Sequence, residues 1–117
     1  MRIVALVDDL MFLSRLREEA RRAGADLASA TTQAELVELL LDAPPALVIF
    51  DLTVRSADPV KAITAARAAA GPATRMLAYG PHGDLALLEA ARAAGADEVL
   101  ARGAFAARLP ELLGRKA

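Results

Sequence analysis

Apolar runs of strand length recur at Ile3 to Val7, Ala46 to Phe50, Arg75 to Tyr79 and Glu98 to Ala101, and the segments between them carry a helical period. This alternation commits a chain to a parallel α/β sheet, since parallel neighbours need a crossover and each crossover here has room for a helix. A weaker strand fits at Asp26 to Ala30. Glycines mark helix ends: the first helix closes at Gly24, the third at Gly71-Pro72 and the fourth at Gly95. Helix starts are marked as well, by Thr32-Gln33-Ala34-Glu35 as a capping box and by Asp58-Pro59 as a capping carboxylate before a first-turn proline. The expectation is one α/β domain over residues 1–117, a (βα)5 doubly wound five-stranded parallel sheet, with no linker or repeat.

A chain of 117 residues has room for one such domain and no second one. Its residues are 56% hydrophobic and 25% charged, with net charge -1. That balance argues against a polyanion-binding surface, so no nucleic-acid partner is expected. The basic cluster Gly114-Arg115-Lys116 reads as a solvated helix end. Absence of cysteine excludes disulfides and thiolate metal sites. The apolar start meets Asp8 and Asp9 too early for a signal peptide or a membrane span, so no membrane contact and a cytoplasmic location are expected.

In an open α/β sheet, ligands bind outside the carboxyl ends of the strands. Asp8 and Asp9 end the first strand, Asp51 the third, Gly80 the fourth and Arg102 the fifth. Asp51 poses the sharpest question, because it closes the run Ala46-Leu47-Val48-Ile49-Phe50. A carboxylate in so apolar a place needs partners or a task. If strands one and three are neighbours, three carboxylates converge on one rim, and such a cluster repels itself unless a cation joins it. All-oxygen ligation of this kind suits Mg²⁺. A helix-capping role accounts for one of Asp8 and Asp9, but not for Asp51 on another strand.

These spaced motifs together resemble the receiver domains of bacterial two-component response regulators. The likeness rests on Leu6-Val7-Asp8-Asp9, on Val48-Ile49-Phe50-Asp51-Leu52, on Ala94-Gly95-Ala96-Asp97 before the last strand, and on Asp58 in the loop to the third helix. It implies a flavodoxin-like strand order 2-1-3-4-5. It also implies that Asp51 is a phosphoacceptor, that Asp9 binds Mg²⁺ directly with Asp8 helping through water, and that the Thr53 carbonyl completes the protein ligands. A cation offsets the charge that carboxylate and phosphoryl oxygens share.

Several positions depart from the family pattern. Gly80 stands where the family has a serine or threonine, Arg102 replaces its lysine, Gly103 the proline that follows, and Val99 the aromatic switch residue. Arg102 keeps the positive charge, but a planar fork is not a point-charge ammonium. Alternation aims Tyr79 away from the face of position 80, so its ring is expected to pack in the core or on the surface rather than to replace the switch. His82, in a glycine-bracketed loop at the rim, is a candidate for orienting water; the competing reading is a solvated loop histidine.

A haloacid-dehalogenase-type phosphatase would want a second acid where Thr53 stands, and a dinucleotide site would want glycines in place of Asp8-Asp9-Leu10. The expected function is a stand-alone receiver-like signalling domain, not an enzyme beyond its own phosphorylation and dephosphorylation. The alternative is a phosphorylation-independent pseudo-receiver that binds protein or dimerises. In either case contacts are expected through helix 4, strand 5 and helix 5, a region that offers Leu87, Leu88, Ala91, Ala94, Phe105 and Leu109 with Arg92, Arg102 and Arg108, most of them expected to be core because each helix buries one face on the sheet. The resemblance adds a histidine kinase and a homodimer to the expected partners.

Overall fold

Side chains alternate across each strand, and in this chain both sets are apolar, so the sheet needs helices on both faces. The computed structural model, which describes residues 1–113, has ten elements in strict alternation. They are β1 (Arg2–Leu6), α1 (Leu10–Arg22), β2 (Asp26–Ala30), α2 (Gln33–Asp42), β3 (Leu47–Asp51), α3 (Pro59–Ala70), β4 (Arg75–Gly80), α4 (Leu85–Ala94), β5 (Glu98–Ala101) and α5 (Arg102–Leu112). All strand pairs are parallel, in the order β2-β1-β3-β4-β5. The expected fold and strand order are those observed. The cluster Gly114-Arg115-Lys116 lies outside the described residues.

Val4, Leu6, Val48, Phe50, Met76, Ala78 and Val99 face a layer formed with α2, α3 and α4. Ile3, Ala5, Leu47, Ile49, Leu77 and Tyr79 face the opposite layer, formed with α1 and α5. Central β3 is buried along its whole length, whereas β2 and β5 at the edges are partly exposed. No helix among the described residues is long and apolar enough to cross a membrane.

Both marked helix starts form as the sequence indicates: Thr32 and Glu35 make a complete capping box, and Asp58 caps α3 ahead of Pro59. The first helix stops at Arg22, before the expected Gly24. Gly24 adopts φ 70° just beyond it, and the Ala25 N–H reaches back to the Ala20 carbonyl at 2.9 Å, which closes the last turn. Arg102, expected to end strand five, instead opens α5.

Asp97 and Arg67 tie down the edge of the sheet opposite the candidate rim. Asp97 Oδ2 accepts from the Met76 N–H and from Arg67 Nη2, each at 2.7 Å. Arg67 also donates to the Thr74 carbonyl at 2.7 Å and the Gly95 carbonyl at 2.9 Å. Burial raises the Asp97 pKa, but the Met76 N–H and the Arg67 guanidinium outweigh it and leave it below the usual carboxylate value. Glu98 is lowered too, first by its hydrogen bond from Arg108.

A carboxylate whose folded pKa is depressed contributes stability that is present above its unfolded pKa and lost as pH falls through the folded value. Stability is therefore expected to hold from neutral pH down to about 5 and to fall below about 4. Asp97→Asn should lower stability at neutral pH and flatten the acid decline. Urea unfolding midpoints at about pH 7, 5 and 3 measure both effects. An unchanged acid slope in the variant would contradict this role for Asp97.

Candidate functional site

Strand order reverses between β1 and β3, so the crevice outside their carboxyl ends is where an open sheet of this type admits a ligand. Asp8, Asp9 and Asp51 emerge there. Asp51 is the last residue of β3 and is 1% exposed. Its partner lies two residues ahead: Oδ1 accepts from the Thr53 N–H at 2.8 Å and from Thr53 Oγ1 at 2.6 Å. Aspartate readily closes a turn on its own chain in this way.

Asp8 turns to the loop after β3, where its Oδ2 accepts from the Arg55 N–H at 2.9 Å, the Ser56 N–H at 3.2 Å and Ser56 Oγ at 3.3 Å. Asp9 has a double task. Its Oδ1 caps α1 through the N–H groups of Met11 (3.0 Å) and Phe12 (3.1 Å), and its Oδ2 accepts from Arg102 Nη2 at 3.1 Å. The Phe12 N–H first, and then the Arg102 guanidinium, hold the Asp9 carboxyl below its usual range.

Arg102 lies over an aromatic cluster, its guanidinium carbon 4.7 Å from the Phe12 ring centre and 6.0 Å from that of Tyr79. Tyr79 stacks on Phe105 with ring centres 4.4 Å apart and meets Phe12 at 4.9 Å. Of the two packings open to Tyr79, core and surface, the structure has the core: the ring has no exposed surface. Register pairs Tyr79 with Asp51, which places both on the same face of the sheet. Burial first, and then the charge of Asp51, push the phenol pKa far above its ordinary value.

Gly80 is packed rather than open. A Cβ there would stand 3.2 Å from Leu52 Cβ and 3.3 Å from Leu52 Cδ1. Restoring a hydroxyl by Gly80→Thr is therefore expected to cost about 1–3 kcal/mol, read as a lower thermal midpoint. A midpoint equal to the parent's would contradict so close an approach. His82 lies exposed in the turn between β4 and α4, which suits the solvated reading.

The three carboxylates share the rim but do not converge as the sequence suggests. Each is drawn to its own donor, and among the described residues no three acidic or histidine side chains are grouped closely enough to hold a metal ion. In kind, the oxygen donors of Asp8, Asp9 and Asp51 fit Mg²⁺. In placement, Asp9 must first release Arg102.

Of the residues expected on the partner surface, Ala91, Phe105 and Leu109 are core, and Leu87, Leu88 and Ala94 pack against it. Arg92 and Arg108 pair with glutamates near them, Glu89 for the first and Glu98 and Glu111 for the second. Sequence reasoning missed Arg55 and Ser56, which contribute mainly backbone N–H groups, and Phe12, whose place under Arg102 depends on how α1 packs.

No protein-family model matches the sequence, and no curated protein is similar to it. Solved structures are similar in fold. A protein from Chloroflexus aurantiacus described as a response regulator superposes with a TM-score of 0.78 at 21% identity, over 97% of this chain and 98% of that one. A response regulator protein from Burkholderia pseudomallei, carrying a phosphorylated aspartic acid, a calcium ion and citrate, gives 0.78 at 20% identity, over 95% of this chain and 69% of that one. The receiver domain of a sensor histidine kinase from Pseudomonas aeruginosa, with a magnesium ion in its active-site cleft, gives 0.79 at 19% identity, over 96% of this chain and 93% of that one. Strand order, helix placement and these superpositions agree that the chain has the fold of response regulator receiver domains.

Proposed function

We propose that the chain is a receiver-like signalling domain that accepts a phosphoryl group on Asp51 and acts through protein contacts. The observation that carries this reading is the buried carboxylate at the end of β3, whose hydrogen bonds among the described residues fall on Oδ1. A carboxylate oxygen of Asp51 attacks the phosphorus of an acyl phosphate; the bond from phosphorus to the acyl oxygen breaks, and that oxygen leaves with the electron pair as a carboxylate. Arg102 supplies positive charge at the rim from the start of α5. The fold neighbours with a phosphorylated aspartate and with a magnesium ion support the same chemistry here.

Asp8, Asp9, Asp51 and the Thr53 carbonyl are the groups that would hold Mg²⁺, whose charge would offset that of the phosphoryl oxygens. Arg102 competes for Asp9. Arg102→Gln is therefore expected to tighten Mg²⁺ binding about two- to five-fold, the range that a half-exposed ion pair is worth. Fluorescence of Tyr79, the single tyrosine in a chain without tryptophan, follows the titration. Weaker or unchanged binding would contradict the competition.

One observation favours the second reading, a phosphorylation-independent binding module: each rim carboxylate already has an internal donor. Incubation with acetyl phosphate and Mg²⁺, followed by intact mass measurement, separates the two. A gain of one phosphoryl group supports the receiver, and no gain supports the module. Partners on the α4, β5 and α5 side, a histidine kinase as donor and a homodimer belong to this proposal.

A further inference from the structure

The Tyr79 hydroxyl is a buried polar atom with no hydrogen-bond partner among the described residues. Natural structures leave few such groups unpaired, because each costs stability that a phenylalanine ring in the same place would not. The ring cannot swing away to find a partner, since Phe105 stacks on one side and Phe12 packs beside it. Its neighbour is Asp51, which shares its face of the sheet and acts on the phenol proton, although the two do not meet in hydrogen-bond geometry. Side-chain donors at the rim have partners of their own: Thr53 Oγ1 with Asp51, Ser56 Oγ with Asp8 and Arg102 Nη2 with Asp9.

We propose that the Tyr79 hydroxyl is the hydrogen-bond donor for a phosphoryl group carried by Asp51, serving from position 79 where Gly80 offers no side chain. The inference rests on the reading of Asp51 as phosphoacceptor. A phosphoryl group on Asp51 extends acceptor oxygens past the carboxylate, so the phosphorylated state offers the donor a partner that the carboxylate alone does not. No bond to the phenol oxygen forms, and its proton stays in place while shared with the phosphoryl oxygen. Pairing then favours the phosphorylated form, and the aromatic stack carries the contact to α1 and α5 through Phe12 and Phe105.

The test compares the unmodified chain with Tyr79→Phe and Asp51→Asn under acetyl phosphate and Mg²⁺, following the rate of phosphoryl gain by intact mass. Tyr79→Phe keeps the ring and removes only the hydroxyl. It is expected to gain the group about 10- to 100-fold more slowly, while its thermal midpoint stays level or rises by a few degrees because an unpaired buried hydroxyl is gone. A purely structural tyrosine would leave the rate unmoved. Equal rates in the unmodified chain and Tyr79→Phe would overturn the role of Tyr79 and leave Asp51 standing. Failure of the unmodified chain to gain the group would overturn the phosphoacceptor reading, and the role of Tyr79 with it.

Discussion

Phe105→Ala is expected to lower the unfolding free energy by about 3–5 kcal/mol, a large share of the roughly 5–15 kcal/mol that a domain of this size has. The reason lies in what holds α5 in place: apart from half-exposed ion pairs of Arg102 with Asp9 and Arg108 with Glu98, it is buried apolar side chains. This helix has no side-chain cap at its start and carries Pro110 in its interior, where proline removes a backbone hydrogen bond and crowds the preceding turn. Its attachment rests on the burial of Phe105, Leu109 and Leu112. Phe105 is fully buried, stacks on Tyr79 and reaches Phe12 at 5.9 Å between ring centres. Truncation removes the stack and opens a cavity beside Tyr79 and Phe12, the rings over which Arg102 lies. Urea unfolding followed through the tyrosine signal measures the loss. A loss under about 1 kcal/mol would mean that α5 is anchored elsewhere.

Asp51→Asn is expected to take phosphoryl gain from one group per chain to none while leaving the fold intact. The asparagine side chain keeps an oxygen that accepts from Thr53 N–H and Oγ1, so the turn after β3 survives. What disappears is the proposed nucleophile, a carboxylate that is almost wholly buried. Removing such a carboxylate relieves desolvation, so stability should hold or rise by up to about 2 kcal/mol. Loss of reaction together with undiminished stability is the signature expected of an acceptor, whereas loss of both would point to a structural aspartate. Asp8 and Asp9 are poor substitutes, because the first is bound by the Arg55 and Ser56 N–H groups and the second by the start of α1 and by Arg102.

Much of this architecture is legible in local pattern. Apolar runs flanked by capping signals place the strands and helices within a residue or two, because Thr32, Asp58, Gly71 and Gly95 act on their own chain neighbours. The weak signal of β2 has a physical cause: as an edge strand it is half exposed, so it needs no continuous apolar run. Asp8, Asp9 and Asp51 are also legible as rim residues, since strand ends fix their level in the sheet.

Their separate pairings are not legible. The loop that holds Asp8 lies 47 and 48 residues further along the chain, and its donors are mostly backbone N–H groups that any sequence would supply. Alternation gives the face on which Tyr79 lies but not whether that face is core or surface, and its closeness to Asp51 depends on the register between β3 and β4, which no local pattern encodes. Arg67 likewise gives no sign, before folding, that it bridges α3 to the starts of β4 and β5.

The most direct test of the central claim is to find the atom that carries the phosphoryl group. Treatment with acetyl phosphate and Mg²⁺, reduction with borohydride and tryptic digestion would yield the peptide 23–55, which contains Asp51. An acyl phosphate on Asp51 predicts homoserine at position 51 when that peptide is sequenced by fragmentation mass spectrometry. Unreduced aspartate at position 51, with homoserine at another aspartate or at none, would contradict the account.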